Sequence, residues 1–226
     1  EVHAALRKSV LDGEIAPILV GSSVKNIGVH TLLDMMIDYL PNPADLNPMV
    51  GTDPNGNPVE VKTVDDEPFS AYVFKTMVDP FIGKYSYLKV CSGVLKGDDT
   101  LYNAETDTEE KLGKLYTMIG NKPVEVSELH AGDIGALAKL QKTLTTDTLS
   151  AKNNPIAYIR TQMPKPYVSM RYKAKNKGDE DKISQALQKV LMEDLTLMNV
   201  NDAENGQTLL YGMGDQHLEV VVNTLA

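Results

Sequence analysis

The chain has 226 residues, of which 42% are apolar and 23% charged, a composition typical of folded globular domains. Its length suits one large domain or two small ones. The net charge of −9 excludes a protein that is basic over its whole surface and binds nucleic acid by bulk charge, but it permits a local basic face.

The acidic residues are unevenly distributed along the chain, and the cysteine count bears on the redox compartment of the protein. Residues 1–67 carry 4 basic and 11 acidic residues, whereas residues 68–226 carry 18 and 20, so the acidic excess lies mainly in the first third. The single cysteine, Cys91, cannot form an internal disulfide, which favours a reducing cytoplasm. No apolar run approaches the roughly 18 residues of a membrane span, and the start does not resemble a signal peptide.

Residues 1–42 are predicted to form a helix, a strand and a helix. The first helix covers Val2 to Leu11, the apolar run Ala16 to Val20 predicts the strand, and Pro41 ends the second helix. Its apolar stripe has helical spacing: Val29, Leu32, Leu33, Met36, Ile37 and Leu40. Such a βα piece is too small to bury a core alone, so we expect it to be the C-terminal part of a larger α/β domain.

The stretch "VGSSVKN", residues 20–26, lies between this strand and the second helix. Serine hydroxyls and turn amides in such a place can donate to the O6 atom of guanine, which adenine lacks. Alternatively, Ser22 and Ser23 only cap the helix, and Lys25 and Asn26 are ordinary turn residues.

The middle of the chain changes from a proline-rich stretch to alternating apolar residues. Residues 43–67 are predicted to be a linker with a turn at Asp53-Pro54-Asn55-Gly56-Asn57. Residues 68–151 contain short runs of period two, such as "SAYVFKT" and "YSYLKVC", separated by turns. This pattern predicts a small antiparallel barrel or a sandwich, and we favour the barrel because the segment is short and has no long connection.

Residues 155–226 show a third pattern. Tyr167 to Lys173 predicts a strand, residues 183–191 a helix with Asp179 as its N-cap, Asn205-Gly206 a hairpin, and residues 218–225 a second helix. The order β-α-β-β-α is that of a split βαβ, or ferredoxin-like, α+β domain without its last strand. We therefore expect the chain to begin and end inside structural units, as a fragment does.

No self-contained catalytic or metal site is predicted. The sequence lacks the phosphate-binding string G-x-x-x-x-G-K-[ST], no carboxylates pair in an apolar setting, and Cys91 fits buried packing. The histidines lack ligand spacing and fit exposed or hydrogen-bonded structural positions: His3, His30, His130 and His217.

A basic row points to nucleic acid. Between Lys165 and Lys177 there are five basic residues and no acid, and strand alternation places Arg171, Lys173 and Lys175 on one face. Such a row can contact phosphates in a salt-sensitive way, although composition alone favours a solvated strand face.

Three stretches, in order, resemble bacterial elongation factor G. "GSSVKNIGVHTLLDMMIDYLPNP" resembles the end of its GTP-binding domain, and "DDEPFSAYVFKTMVDPFIGKYSYLKVCSGVLKGDD" resembles the start of its second domain. "DKISQALQKVLMEDLTLMNVNDAENGQTLLYGMGDQHLEVVV" is similar to its third domain. The family implies a multidomain GTPase that promotes ribosomal translocation of tRNA and messenger RNA.

The resemblance implies a domain plan. Residues 1–42 would end the GTP-binding domain, residues 68–151 would be the β-barrel domain II, and residues 155–226 the ferredoxin-like domain III. Ser22, Ser23 and Val24 would be the last guanine-recognition element, and Gly212, Met213 and Gly214 a turn between domains that uses glycine for positive φ and close approach.

The resemblance also implies ligands and partners. GTP with Mg would be the cofactor and the ribosome, with its RNA and the tRNA–mRNA complex, the partner; no membrane or DNA is implied. The phosphate loop and switches would lie before Glu1. The 226 residues alone should therefore neither hydrolyse GTP nor bind it with appreciable affinity.

The chain departs from the family in three places. It has "GMGDQHLE" for "GMGELHLE", "EDLT" for "EDPT", and "KAKNKGDEDK" for "EPKTKADQDK". Three alternatives stay open: the housekeeping translocase, a ribosome-protection paralogue, and a ribosome- or RNA-binding module without GTPase activity.

Overall fold

The computed structural model describes residues 1–79, 83–174, 176 and 178–225. Lys175, the third residue of the basic row, lies outside the described residues. The chain divides into two compact units, Glu1–Pro48 and Met49–Ala226.

The first unit contains two helices, Val2–Leu11 (α1) and Val29–Tyr39 (α2), followed by a short 3-10 helix at Pro43–Asp45. Both predicted helices are confirmed. Arg7 holds them together, because its guanidinium donates to the carbonyl of Asp38 at 2.7 Å and to the carboxylate of Asp45 at 2.6 Å. Tyr39 is the only buried residue of this unit, all of which the structure describes.

The strand predicted at Ala16–Val20 is absent. Ile18 and Val20 are more than nine-tenths exposed, and no strand in the described part of the chain pairs with this run. An apolar segment becomes a strand only where another strand satisfies its backbone groups, and these residues have no such neighbour.

The second unit begins with a β-rich domain. Its strands are, in chain order, Met49–Thr52 (β1), Pro58–Val61 (β2), Ser70–Asp79 (β3), Gly83–Ser92 (β4), Leu95–Lys96 (β5), Thr100–Asn103 (β6), Thr108–Lys111 (β7), Leu115–Ile119 (β8), Lys122–Val126 (β9), Glu128–Leu129 (β10), Ile134–Ala138 (β11), Thr148–Ala151 (β12) and Ala157–Tyr158 (β13).

Eight of these strands form one antiparallel sheet in the order β7-β6-β12-β3-β4-β11-β8-β9, and β5 pairs with β10 separately. The sheet encloses one core, to which Val73, Leu88, Leu115, Leu137 and Leu149 contribute. The β-rich class is therefore confirmed. The hydrogen-bonded ladder is not closed into the predicted barrel, because β7 and β9 remain its edges.

Residues 43–67 differ from the predicted linker. Strands β1 and β2 form a hairpin whose turn is held by the carboxylate of Asp53, which accepts from the amides of Asn55 and Asn57. β13 adds a third strand to this small sheet. The sheet covers Cys91 with Val61, Ile156 and Tyr158, and burial raises the pKa of the Cys91 thiol to about 11.

The last domain contains Val168–Tyr172 (β14), Glu180–Glu193 (α3), Met198–Asp202 (β15), Gln207–Gly212 (β16) and Asp215–Leu225 (α4). Its sheet order, β14-β16-β15 with every pair antiparallel, is that of the predicted split βαβ unit. Leu187, Leu210 and Leu218 join the helices to one face of the sheet. Asp179 occupies the predicted N-cap position, but its carboxylate bonds to Asn176 and Lys182 and not to the helix amides.

Candidate functional site

The serine turn is a tight loop closed at its base. The amide of Ser22 donates to the carbonyl of Ile27 at 2.9 Å, and the amide of Ile27 donates back to Ser22 at 3.0 Å. Within the loop, the amide of Asn26 donates to the carbonyl of Ser23 at 3.2 Å. Asn26 adopts a left-handed φ of 53°, which asparagine tolerates better than most residues.

A glycine makes this loop possible. A Cβ atom at Gly21 would lie 2.6 Å from the carbonyl oxygen of Ile27, so the two sides of the loop approach closely only without a side chain. Neither serine caps α2, since Gly28 holds the N-cap position. The alternative that Ser22 and Ser23 serve as helix caps is therefore excluded.

The apex of this loop offers hydrogen-bond donors. The amides of Ser23 and Val24 and the hydroxyl of Ser23 have no acceptor among the described residues, and Val24 is 97% exposed. The amide of Lys25 is directed to the hydroxyl oxygen of Ser22 at 3.4 Å. The arrangement can therefore donate to an acceptor atom of a ligand that contacts residues 23 and 24.

Arg171 of the basic row lies on the open face of the sheet in the last domain, because Val168 and Tyr172 of β14 pack toward the helices and alternation turns Arg171 to the opposite face. Lys173 follows directly after β14. Both are exposed, and neither has a hydrogen-bond or ion-pair partner among the described residues. The carboxylate of Asp202, on the far strand, is held by Asn205 and Gln207.

The turn after β16 joins β16 to α4 inside the last domain, so it is not the predicted turn between domains. Gly212 and Gly214 do not have positive φ, so the prediction of a left-handed backbone at these residues was wrong. Close approach does apply at Gly212, where a Cβ atom would lie 2.8 Å from Cδ2 of Leu218. At Gly214 a Cβ atom would meet nothing within 4 Å.

A network of hydrogen bonds at this turn was not predicted. The amide of Met213 donates to Nδ1 of His217 at 3.1 Å, and Nε2 of His217 lies 2.9 Å from the carboxylate of Asp194. Because Nδ1 accepts, the ring carries its proton on Nε2 and donates it to Asp194. Thr196 donates twice to the other oxygen of Asp194. Burial raises the pKa of Asp194, but the bonds from Thr196 and His217 outweigh it and the net shift is downward.

This network of hydrogen bonds joins two of the three stretches in which the sequence departs from the family that it resembles. Asp194 belongs to "EDLT" and His217 to "GMGDQHLE". Their sequence separation gave no spacing signal, so only the fold brings them together.

The described residues contain no group of three His, Cys, Asp or Glu side chains able to hold a metal ion. None of the helices within that part of the chain is long and apolar enough to cross a membrane. His3 and His130, like His217, make hydrogen bonds, to Tyr39 and Asp65 respectively.

Comparisons with known proteins agree with this architecture. The family model described as elongation factor G domain 2 matches residues 68–152, and the one described as elongation factor G domain III matches residues 163–226. A crystal structure from Thermus thermophilus superposes with a TM-score of 0.79 at 28% identity, covering 99% of this chain and 31% of that chain. This chain therefore spans about a third of the length of the Thermus protein. It belongs to the elongation factor G family and carries the second and third domains of that family.

Proposed function

We propose that this chain is part of a cytoplasmic translational GTPase that promotes the movement of tRNA and messenger RNA through the ribosome, coupled to GTP hydrolysis. The observation that carries the proposal is the succession of an elongation factor G domain 2 and a domain III in one chain. A β-rich domain followed by a split βαβ domain is the architecture that this succession requires.

GTP is the proposed cofactor, and the chain contributes to its guanine side. The free donors of Ser23 and Val24 suit the O6 acceptor of guanine, with Ser22 holding the base of the loop. GTP supplies the phosphoanhydride bond that is cleaved. Because this sequence lacks G-x-x-x-x-G-K-[ST], the phosphates and Mg would be held by other residues of the complete protein.

This assignment predicts weak nucleotide binding by the 226 residues alone, since the phosphates supply most binding contacts. We expect isothermal titration with GTP to show no measurable heat of binding at micromolar concentrations. A micromolar dissociation constant would contradict the assignment.

The ribosome is the proposed partner, and Arg171 and Lys173 are proposed to contact RNA phosphates. Each phosphate contact that is lost lowers the steepness with which affinity falls as salt rises, by roughly 0.7 to 0.9 in the log–log slope. We expect Arg171→Glu with Lys173→Glu to weaken co-sedimentation of the chain with ribosomes and to flatten this slope by roughly 1 to 2.

The matched control is Lys182→Glu with Lys189→Glu, which changes the net charge equally but on α3. This variant should leave the salt slope nearly unchanged. Equal slopes for wild type and the Arg171 and Lys173 variant would mean that the row is only a solvated surface.

The activity is tested with the complete protein, by measuring GTP hydrolysis with and without ribosomes. Strong stimulation by ribosomes together with support of polypeptide synthesis supports the translocase. Stimulated hydrolysis without support of synthesis would select the ribosome-protection paralogue. No hydrolysis in either case would leave a ribosome-binding module, which the exposed Arg171 and Lys173 would serve.

A further inference from the structure

The end of α3 lies against β3, the strand that contributes Val73 to the core of the β-rich domain. The last residue of the helix, Glu193, accepts a hydrogen bond through Oε1 from the backbone amide of Val78 at 2.5 Å. This bond crosses from the α+β domain to the β-rich domain within one compact unit.

The amide of Val78 is available because β3 has an open edge there. In the β3–β4 ladder Val78 lies opposite Lys84, whose carbonyl accepts from the amide of Lys139 on its other side. The Val78–Lys84 pair is therefore a non-hydrogen-bonded pair, and the amide of Val78 faces away from β4. The strand on that side, β12, pairs only with Ser70–Tyr72, so Glu193 takes the place of a missing strand.

The next residue, Asp194, bonds in another direction. It leaves the helix in an extended conformation, and its carboxylate accepts from Nε2 of His217 and from Thr196. Two adjacent carboxylates at one helix end thus hold different parts of the molecule, β3 through Glu193 and the turn at residues 212–217 through Asp194.

We propose that Glu193 and Asp194 form a joint that couples the β-rich domain to the turn at residues 212–217, with Glu193 as the positioning residue. Because the two carboxylates belong to adjacent residues at the end of α3, a displacement at one bond moves the other. A shift of the 212–217 turn is therefore transmitted to the open edge of β3. This coupling does not depend on GTP or on ribosome binding.

The first test is amide hydrogen exchange at Val78, measured by NMR on the whole 226-residue chain. Loss of a hydrogen bond to a carboxylate should speed exchange about tenfold or more. We expect this for Glu193→Ala and for Glu193→Asp, whose side chain is one methylene too short. Glu193→Gln keeps an acceptor oxygen and should restore slow exchange.

Glu180→Ala is the matched control, because it removes the same charge from the other end of α3, where the carboxylate accepts from Gly178. Exchange at Val78 should not change in this variant. Equal exchange at Val78 in wild type, Glu193→Ala and Glu193→Asp would overturn the proposal. Equal acceleration in Glu180→Ala would overturn it too.

The second test asks whether the two bonds are coupled. His217→Ala removes the partner of Asp194 without touching β3, and we expect it to speed exchange at Val78 several-fold. In the reverse direction, Glu193→Ala should lower the fraction of the Nε2–H tautomer of His217, which ring ¹⁵N shifts report. If His217→Ala leaves exchange at Val78 unchanged and Glu193→Ala leaves the tautomer unchanged, the two bonds act separately and the proposal is wrong.

Discussion

At Gly212 the backbone passes so close to α4 that a side chain cannot be added without moving a buried residue. A Cβ atom there would lie 2.8 Å from Cδ2 and 3.1 Å from Cγ of Leu218, which is fully buried, and 3.2 Å from Nδ1 of His217. We predict that Gly212→Ala lowers the free energy of unfolding by about 1 to 3 kcal/mol, the usual cost of overpacking.

Gly214 provides the comparison for this prediction, because it is in the same turn but has open space where a Cβ atom would be added. Gly214→Ala should change the free energy of unfolding by less than about 1 kcal/mol. Urea denaturation of both variants measures the difference, and equal losses would show that close approach at Gly212 is not what the turn requires.

His130 and Asp65 give the β-rich domain a pH-dependent contact. Nδ1 of His130 lies 2.8 Å from the carboxylate of Asp65, and this hydrogen bond raises the pKa of His130 above its usual 6.5. The pKa of Asp65 is lowered from 3.8, first by the amide of Ala131 and then by His130. The histidine therefore stabilises the fold below pH 6.5 and loses this effect as the pH rises through its folded pKa. The aspartate stabilises above pH 3.8 and loses its effect as the pH falls.

The contact between His130 and Asp65 should therefore stabilise the fold most at pH values between the folded-state pKa of Asp65 and that of His130. We predict that His130→Ala lowers the free energy of unfolding more at about pH 5.5 than at about pH 8.5. Asp65→Asn should remove this difference, because it keeps the amide contact but not the charge. Equal effects of His130→Ala at both pH values would contradict the prediction.

On the scale of elements, one side chain of β7 binds three successive residues of the loop between β11 and β12. The carboxylate of Glu110 accepts from the amides of Gln141, Lys142 and Thr143 and from the hydroxyl of Thr143. Partial burial raises the pKa of Glu110, but these bonds outweigh it and the net shift is downward. The loop also contains two non-glycine residues with positive φ, Lys139 and Thr146, so it depends on such contacts to keep its shape.

We predict that Glu110→Ala lowers the free energy of unfolding by about 1 to 2 kcal/mol at neutral pH, because it leaves several amides without their acceptor. The neighbouring Glu109 forms an exposed ion pair with Lys152 and serves as the control. Glu109→Ala should cost less than about 1 kcal/mol. The measurement is urea denaturation. Similar losses of unfolding free energy in Glu110→Ala and Glu109→Ala would contradict the prediction that Glu110 stabilises the loop.

Elements that follow from local sequence were predictable, and those that need a distant partner were not. The apolar stripes gave α2 and α3, and Asn205-Gly206 gave the β15–β16 hairpin. Ala16–Val20 has the composition of a strand, but no strand in the described part of the chain pairs with it. Conversely, β1 and β2 form in a proline-rich stretch whose composition predicted a linker. They form because their small sheet covers Cys91, a contact that local pattern does not contain.

The candidate site shows the same division. The serine turn at Ser22–Val24 was found because all its residues are adjacent in sequence. The bonds of Asp194 to His217 and of Glu193 to Val78 join elements distant along the chain, and carboxylates at a helix end usually face solvent. Their partners are therefore fixed by packing and could not be derived from spacing.

For the whole molecule, the two units differ in how much apolar surface they bury. Within residues 1–48 only Tyr39 is buried, and α2 exposes Leu33 and Ile37. Among its described residues, the second unit contains three buried clusters, around β3 and β4, around α3 and α4, and around Cys91. Helices as short as α1 and α2 are marginal in water without packing, so the first unit should open at a lower free energy than the second.

We therefore predict that amides of α1 and α2 exchange at least about tenfold faster than those in the centre of β3 and β4, and that limited proteolysis first cuts within residues 1–48. Removing residues 1–48 should leave the thermal midpoint of the second unit nearly unchanged, because the second unit has its own buried clusters. Removing residues 1–61 instead also deletes β1 and β2, exposes Cys91 and should lower the midpoint by several degrees. A large fall in the midpoint after the shorter deletion would mean that the second unit depends on the first for its stability.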